Sequence, residues 1–329
     1  MRQLEITERI LRLRGVPVFR GMASNDLAQL AAAVEPRTFQ RGDVLLREDE
    51  PPRSFFLLGS GTVTMRRQGR RIGTVRGPGG VGFLSFLARS AGGTAAVAES
   101  FVEAYEVPGD AMAEIFEDHF AVLLGTLRWV GERLITENRA ATPPPYVPPE
   151  DTLHQLVGDR ELGIVERIFL LRRTRAFAHA NVNSLARIAR RMEEVRVPRG
   201  TRLWRPGEVA DFSLFVVKGM LHQSWDGGLK VQTMGPGFVI GGAESLVGVP
   251  RWNELVADEP LVLLKGQREA LIDLFEDDRE LAMHFLSLLG TFLMSIWDRK
   301  AEAGVAAVGS GAAEDEPAAT GAEVEARAP

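Results

Sequence analysis

The sequence predicts a mainly β fold with flanking helices (α+β), arranged as two tandem jelly-roll-like domains. Two observations carry this prediction. The chain repeats itself at a nearly constant spacing, and each copy holds short β-rich segments that are punctuated by glycine and closed by a long apolar helix. Short, evenly spaced strands with glycine turns are typical of barrels and jelly rolls. A chain of 329 residues is long enough for two such domains, each with its own core.

The internal repeat has a spacing of 158 residues over its first part. The Gly-Pro-Gly triplet at 77–79 returns at 235–237, and beyond it the spacing becomes 159. Matches that keep their order over so long a stretch, with one slip, indicate a duplication. Further matched positions are Phe19 and Phe177, Leu27 and Leu185, Gly42 and Gly200, Gly61 and Gly219, and Gly82 and Gly241.

The two copies also share the order of their predicted elements. A short helix comes first, at 25–34 with Ser24 as its N-cap and at 182–192 in the second copy. Short strands follow, and a long helix with apolar residues three and four apart closes each copy. The strands predicted in the first copy are 44–46, 55–58, 62–65 and 72–75, and the closing helices begin near Phe120 and Leu281.

Composition marks the boundaries between the copies. Five prolines fall within 141–149, which predicts a stiff, extended spacer. The end of the chain is rich in alanine, glycine and glutamate, a composition that buries too little surface to fold. We therefore predict a first domain at 1–140, a proline-rich linker at 141–153, a second domain at 154–300 and a disordered acidic tail at 301–329.

The residue types that are absent exclude several functions. The chain has no cysteine, so disulfides, Cys-ligated zinc and iron–sulfur clusters are excluded, and a reducing, cytoplasmic location is expected. The first ten residues form no apolar stretch of the kind that secretory signals have. The longest nearly apolar run, 284–297, is shorter than a bilayer span, so no membrane association is expected.

The net charge of −5 lies in the tail. Residues 301–329 hold six acidic residues and one arginine, which gives −5, so residues 1–300 sum to zero. Because phosphate neutralisation dominates affinity for nucleic acids, a domain without a basic excess is not expected to bind them.

Three segments carry a family resemblance: 40–45, 55–63 and the Gly-Pro-Gly turn at 77–79. Together with the order of helices and strands, they resemble the cyclic-nucleotide-binding domain. That domain is shared by the catabolite activator protein family and by regulatory subunits of the cyclic-AMP-dependent protein kinase. The resemblance covers about 8–137 and 166–300. It implies a ligand site in which amides at a short helix and an arginine bind the cyclic phosphate, while a glutamate accepts from the ribose hydroxyl.

In the first copy the resemblance implies a degenerate site. Gly82 is kept, but Phe83 stands at the glutamate position and Gly92 at the arginine position. A buried phosphate without a cation costs several kcal/mol. Although Arg89 lies nearby, we predict that apolar side chains fill this pocket and that it holds no nucleotide.

In the second copy the site is half intact. Gly241 and Arg251 match the family pattern, Gly242 replaces the glutamate with Glu244 two residues on, and Trp252 follows the arginine. Arg251 is predicted either to bind an anion or to pair with Glu254 on the surface. Trp252 either stacks on a ligand base or fills the pocket. The arginine-rich segment 66–71 reads as a hairpin tip with solvated arginines, or as a contact for an acidic partner.

The function predicted from these features is regulatory and non-enzymatic. No catalytic motif is found, the five histidines show no metal-ligand spacing, and no cofactor is implied. The closing helices are expected to present apolar faces to a protein partner or to each other, and a homodimer or a stable hetero-complex is expected. The alternative is a sensor that binds a cyclic nucleotide or a phosphorylated metabolite through the second domain.

Overall fold

In a computed structural model the chain forms two rolls of the same design. The structure describes residues 2–16, 19, 22–88, 93–148, 157–158 and 160–302. Antiparallel strands build both rolls, and helices stand before and after the strands in each. The mainly β fold with flanking helices and its tandem arrangement are thereby confirmed.

The first roll contains five helices and eight strands among the described residues. In chain order they are α1 (Arg2–Arg14), α2 (Ser24–Ala33), β1 (Glu35–Phe39), β2 (Val44–Leu46), β3 (Ser54–Ser60), β4 (Thr62–Arg67), β5 (Arg70–Arg76), β6 (Gly79–Val81), α3 (Phe83–Ala88), β7 (Ala95–Ala98), β8 (Val102–Pro108), α4 (Gly109–Asp118) and α5 (Phe120–Ala140).

The second roll repeats this order. Its elements are α6 (Ile164–Arg172), α7 (Val182–Arg191), β9 (Glu193–Val197), β10 (Arg202–Trp204), β11 (Phe212–Lys218), β12 (Leu221–Trp225), β13 (Lys230–Met234), β14 (Val239–Ile240), α8 (Gly242–Val247), β15 (Glu254–Ala257), β16 (Leu261–Gln267), α9 (Arg268–Asp277) and α10 (Arg279–Glu302).

The sheets have identical topology in the two rolls. The first roll has sheets β1-β8-β3-β6 and β2-β7-β4-β5, and the second has β9-β16-β11-β14 and β10-β15-β12-β13. The turn glycines that mark the repeat have a physical reason: Gly61 has φ +88° and Gly219 φ +89°, where a side chain would overlap the carbonyl oxygens of Phe101 and Pro260.

The helices that begin each roll differ from the sequence prediction in one respect. Helices α1 and α6 precede the predicted short helices and were not predicted from the sequence. Helix α7 begins as expected, with the Asn181 side chain accepting from the Ser184 amide at 2.9 Å. Ser24 was expected to be the N-cap of the first short helix, but it is the first residue of α2, and Ala23 is the cap.

The closing helices α5 and α10 cross from one roll to the other. They pack against each other, α5 packs against α8 of the second roll, and α10 packs against α3 of the first. Glycines allow the close approach: a Cβ at Gly131 would lie 2.8 Å from Val247 Cγ2, and one at Gly290 would lie 3.4 Å from the Ala88 nitrogen. Each roll therefore supplies the helix that covers the other.

This exchange agrees with one of the two predicted alternatives, in which the closing helices present apolar faces to each other. The exposed residues of α5 form one narrow stripe that includes Arg128, Glu132 and Thr136, and the exposed residues of α10 from 279 to 300 are Glu280 and Thr291. Every exposed large apolar residue in the described part of the chain lies elsewhere. The apolar faces of these helices are buried within the chain, and self-association or a hetero-complex through them stays a prediction.

Ion pairs fix the exchanged helices in place. Arg67 on β4 holds Asp298 on α10, with Arg67 Nη2 at 3.0 Å from Asp298 Oδ2 and the two side chains 13% and 22% exposed. Lys300 pairs with Glu137 across the two closing helices. The prediction that all arginines of the 66–71 hairpin are solvated is therefore wrong for Arg67.

Helix α10 is longer than the apolar run suggested. Its span Arg279–Lys300 is long and apolar enough to cross a membrane by length and composition, with 44% of its most apolar window buried. Its packing against α3, α5 and α9 accounts for the apolar character. The absence of a membrane role stays a prediction.

The described part of the linker, 141–148, has no regular secondary structure and lies against the second roll. The Tyr146 ring is 5.6 Å from that of Phe238, and its hydroxyl donates to the Pro236 carbonyl at 3.4 Å. The predicted domain boundaries stay predictions. Helix α10 extends two residues into the segment predicted as tail, and 303–329 lie outside the described residues.

Candidate functional site

The cassette of the first roll, defined here as residues 82–88, begins at Gly82. Its φ of +88° lies in the region that favours glycine. A Cβ at this position would overlap Leu46 Cδ1, so a leucine from β2 occupies the space directly above the start of α3. Phe83, which stands at the glutamate position of the resemblance, is 8% exposed.

Aromatic rings surround Phe83. Its ring centroid lies 4.8 Å from Phe55 and 5.9 Å from Trp129 of the closing helix α5. Beside this cluster, the Ser85 hydroxyl donates a hydrogen bond to the Thr94 hydroxyl at 3.1 Å. The cassette is thus apolar where the structure describes it. Gly92 and Arg89 lie outside the described residues, so the exclusion of nucleotide from this pocket stays a prediction.

The cassette of the second roll, residues 241–248, begins at Gly241 with φ +72°. A Cβ there would overlap Nη1 of Arg251. The guanidinium therefore lies above the start of α8, in the place that Leu46 takes in the first roll. Gly242, at the glutamate position, has only Val239 Cγ1 at 3.5 Å from where its Cβ would be, which is ordinary contact.

Arg251 is buried and is bound by the chain itself. It is 2% exposed, its Nη1 donates to the Gly241 carbonyl at 3.0 Å, and its Nη2 donates to the Phe212 carbonyl. Its Cζ lies 4.1 Å from the centre of the Trp204 ring. The predicted surface pair with Glu254 is wrong, because Glu254 pairs with Arg202 on the neighbouring strand.

The electrostatics of this site are those of a buried cation among carboxylates. Burial lowers the pKa of Arg251, and the negative charges of Glu244, Asp211 and Glu208 oppose that shift. Glu244 is itself 6% exposed. Arg251 Nε is buried with no hydrogen-bond partner among the described residues. The guanidinium thus has neutral acceptors for two of its nitrogens and none for the third.

A polar chain inside the second roll was missed by sequence reasoning. Trp204 Nε1 donates to Asn253 Oδ1 at 2.8 Å, Asn253 Nδ2 donates to Gln223 Oε1 at 3.1 Å, and Gln223 Nε2 donates to Gln232 Oε1 at 2.7 Å. The repeat spacing could have revealed this polar chain. It pairs these residues, in the same order, with Leu46, Thr94, Met65 and Thr74 of the first roll.

Trp252 occupies a position that neither sequence alternative named. Its ring lies 5.1 Å from that of Trp225, and the Arg139 guanidinium at the end of α5 lies 5.9 Å from it. Trp225 Nε1 and Lys230 Nζ both donate to the Arg139 carbonyl, at 3.2 and 2.8 Å. The residue next to the site arginine therefore packs at the junction with the other roll.

Comparisons with known proteins agree with the predicted resemblance. Residues 36–119 match the family model of the cyclic nucleotide-binding domain. Within the ranges that the structure describes, no group of three His, Asp or Glu side chains could hold a metal ion.

Several solved structures are similar to this chain. They include the regulatory domain of Toxoplasma gondii PKA with cAMP, at 14% identity over 91% of this chain and 96% of that chain, with a TM-score of 0.33. The regulatory subunit of a cAMP-independent protein kinase A from Trypanosoma brucei is 15% identical over 84% and 89%, with a TM-score of 0.34. The sensor domain of the transcriptional regulator DNR from Pseudomonas aeruginosa is 18% identical over 41% and 93%, with a TM-score of 0.38.

Proposed function

We propose that this protein is a non-enzymatic regulatory or scaffolding protein that acts through contact with a protein partner. The observation that carries the proposal is the occupation of both cassettes by the chain's own side chains. Leu46 lies over Gly82 and Arg251 lies over Gly241. A nucleotide would have to displace a packed leucine in one roll and two carbonyl-bound guanidinium nitrogens in the other.

The proposed partner surface is the exposed side of α6, which we call the α6 face. Ile164, Val165 and Phe169 are 37%, 60% and 62% exposed there, although all three are large and apolar. Grouped apolar side chains on a surface mark interaction sites. Arg172 is exposed on the same helix. The partner that fits this face has an apolar groove with acidic residues at its edge.

The α6 face is tested by capture from lysate with matched variants. Wild type is expected to retain a protein that Phe169→Asp loses, because a carboxylate would enter the apolar contact. Val209→Asp changes an equally exposed valine of the second roll, 75% exposed, and is expected to leave capture intact. Equal capture by wild type and Phe169→Asp contradicts this surface.

A second candidate function, sensing of a cyclic nucleotide or a phosphorylated metabolite, is supported by the state of Arg251. An anion would offer its Nε the acceptor that it lacks. A ligand at a hundredfold excess over its Kd raises the free energy of unfolding by about 2.7 kcal/mol.

Thermal unfolding with a panel of cyclic mono- and dinucleotides tests the sensor. A shift that Arg251→Lys reduces and Arg251→Ala abolishes supports it, provided that both variants are folded without ligand. No shift with any compound at millimolar concentration contradicts it and leaves the partner-binding function in place.

A further inference from the structure

The two closing helices end at hairpins that are equivalent in the repeat, each on the opposite roll. Helix α5 ends at the β12–β13 hairpin of the second roll, where Trp225 and Lys230 donate to the Arg139 carbonyl. Helix α10 ends beside the β4–β5 hairpin of the first roll, where Arg67 holds Asp298. These hairpins correspond to each other in the repeat, so the segments that follow the helices start from equivalent positions.

After α5 the chain covers a specific surface of the second roll. Tyr146 and Pro148 line a cavity together with Lys218, Met220 and Pro236. Pro236 is buried, and a side chain at Gly235 would lie 2.8 Å from Tyr146 Oη. The segment that leaves a closing helix therefore acts as a cover for the Gly-Pro-Gly turn of the roll that it reaches.

The equivalent surface of the first roll is open. The repeat spacing places Thr62, Pro78 and Phe101 where the second roll has Met220, Pro236 and Pro260. Pro78 is exposed, whereas Pro236 is buried, and Phe101 is 49% exposed. We call these three residues the open rim. Among the described residues none lies over the rim as Tyr146 lies over the second roll.

The segment that leaves α10 is 303–329, and its composition suits the open rim. Val305 and Val308 come within six residues of the helix end, as Tyr146 does after α5, and three acidic residues follow at 314–316. Residues 60–77 of the first roll hold five arginines and no acidic residue. Among the ion pairs of the described residues, none involves Arg66, Arg70 or Arg76, which are exposed. The segment thus offers apolar side chains for the rim and acidic side chains for the arginines.

We propose that residues 303–329 dock on the first roll, with the valines on the open rim and the acidic residues along the arginines of β4 and β5. The occupant is this chain's own tail, because helix α10 ends at the β4–β5 hairpin, and the segment that leaves α5 at the equivalent hairpin reaches the Gly-Pro-Gly turn within six residues. Covalent attachment gives such a segment an effective concentration in the millimolar range. Exposed ion pairs are individually weak and are screened by salt, so the charged half of the contact is expected to loosen at high ionic strength.

Thiol reactivity tests the docking directly, since the chain has no cysteine of its own. Gly80→Cys puts a thiol beside the rim, at an exposed site with no atom within 4 Å of the new Cβ. We expect it to react about threefold to tenfold more slowly in the full chain than in a chain shortened after Glu302, for a millimolar effective concentration and a Kd of a few tenths millimolar. Val209→Cys is the matched control and is expected to react at one rate in both chains.

Surface variants of the full chain test which residues of the first roll bind the tail. In the Gly80→Cys background, Phe101→Asp and the pair Arg70→Glu with Arg76→Glu are each expected to restore fast reaction, whereas Phe169→Asp is expected to leave it slow. Equal rates with and without the tail overturn the proposal. Protection that grows with protein concentration also overturns it, because the occupant is then a neighbouring chain.

Discussion

The two rolls share a strand order but fill the space above their cassettes with opposite chemistry. The first places Leu46 there, next to the rings around Phe83, and the second places the Arg251 guanidinium there, next to the amides of Asn253 and Gln223. The two copies thus share the backbone, including the left-handed glycine at each cassette, whereas the interior of one copy is apolar and that of the other is polar. A fold match describes both rolls, but a functional hypothesis has to be argued for each one separately.

The largest effect is expected from restoring the glutamate of the resemblance in each roll. Phe83→Glu puts a carboxylate among Phe55 and Trp129, and we expect a loss of about 4 kcal/mol or more in the free energy of unfolding. Gly242→Glu enters ordinary contact distance and is expected to change stability by about 1 kcal/mol or less. Denaturant unfolding of both variants measures the difference. If both variants lose the same free energy of unfolding, the proposed difference between the apolar first roll and the polar second roll is contradicted.

A smaller effect is expected at the ion pair that joins the first roll to α10. Arg67→Ala leaves Asp298 partly buried without its cation, and we expect a loss of about 2–3 kcal/mol. Arg71→Ala removes an exposed arginine that lies 4.0 Å from Glu99 and is expected to cost about 0.5 kcal/mol or less. Chemical denaturation compares the two. A negligible loss for Arg67→Ala contradicts its role in fixing α10.

Arg251 itself is expected to matter less for stability than its burial suggests. Arg251→Met keeps most of the volume and removes a buried charge with an unpartnered nitrogen. However, it leaves two carbonyl oxygens and the Glu244 carboxylate without the cation, so we expect a loss of about 1–2 kcal/mol. Combining it with Glu244→Gln removes the carboxylate that is left behind and is expected to recover part of that loss. A double-mutant cycle measures this coupling. A loss of several kcal/mol that Glu244→Gln leaves unchanged contradicts the electrostatic account.

The smallest effect is a pH dependence at the linker. Burial raises the pKa of Tyr146 above the ordinary value of 10.0, so the folded state favours the neutral phenol. Its contribution to stability is therefore fully present below pH 10 and is lost as the pH rises through the folded pKa. Unfolding followed from pH 8 to pH 11 is expected to show a fall that Tyr146→Phe diminishes. An identical fall in both proteins contradicts the assignment.

Most of the fold could be predicted from the sequence, because strand alternation, turn glycines and the repeat are local signals. The strands at 44–46, 55–58, 62–65 and 72–75 lie within the observed ones, and the positive φ of Gly61 explains a glycine that the repeat had singled out. Helices α1 and α6 were missed, although the repeat at 158 residues pairs Ile6, Glu8 and Arg9 of α1 with Ile164, Glu166 and Arg167 of α6.

The candidate site was predictable by position but not by orientation. Matching to the family pattern placed Arg251 at the arginine position, yet spacing does not tell whether a long side chain turns outward to Glu254 or inward over Gly241. The exchange of closing helices was also beyond reach, because apolar periodicity shows that a face is buried and not what buries it. Trp252 illustrates both limits, since its partners Trp225 and Arg139 come from a hairpin and from the other roll.

The crossing of α10 onto α3 has a consequence for synthesis on the ribosome. Leu84 and Leu87 belong to a helix whose cover begins at Arg279, so about 200 residues must be added before that cover exists. At about 5–20 residues per second, the first roll waits roughly 10–40 s with apolar side chains in solvent. Neither roll can complete its core without the closing helix of the other. The nascent chain is therefore expected to expose most apolar surface, and to bind a holdase chaperone best, before α10 is synthesised.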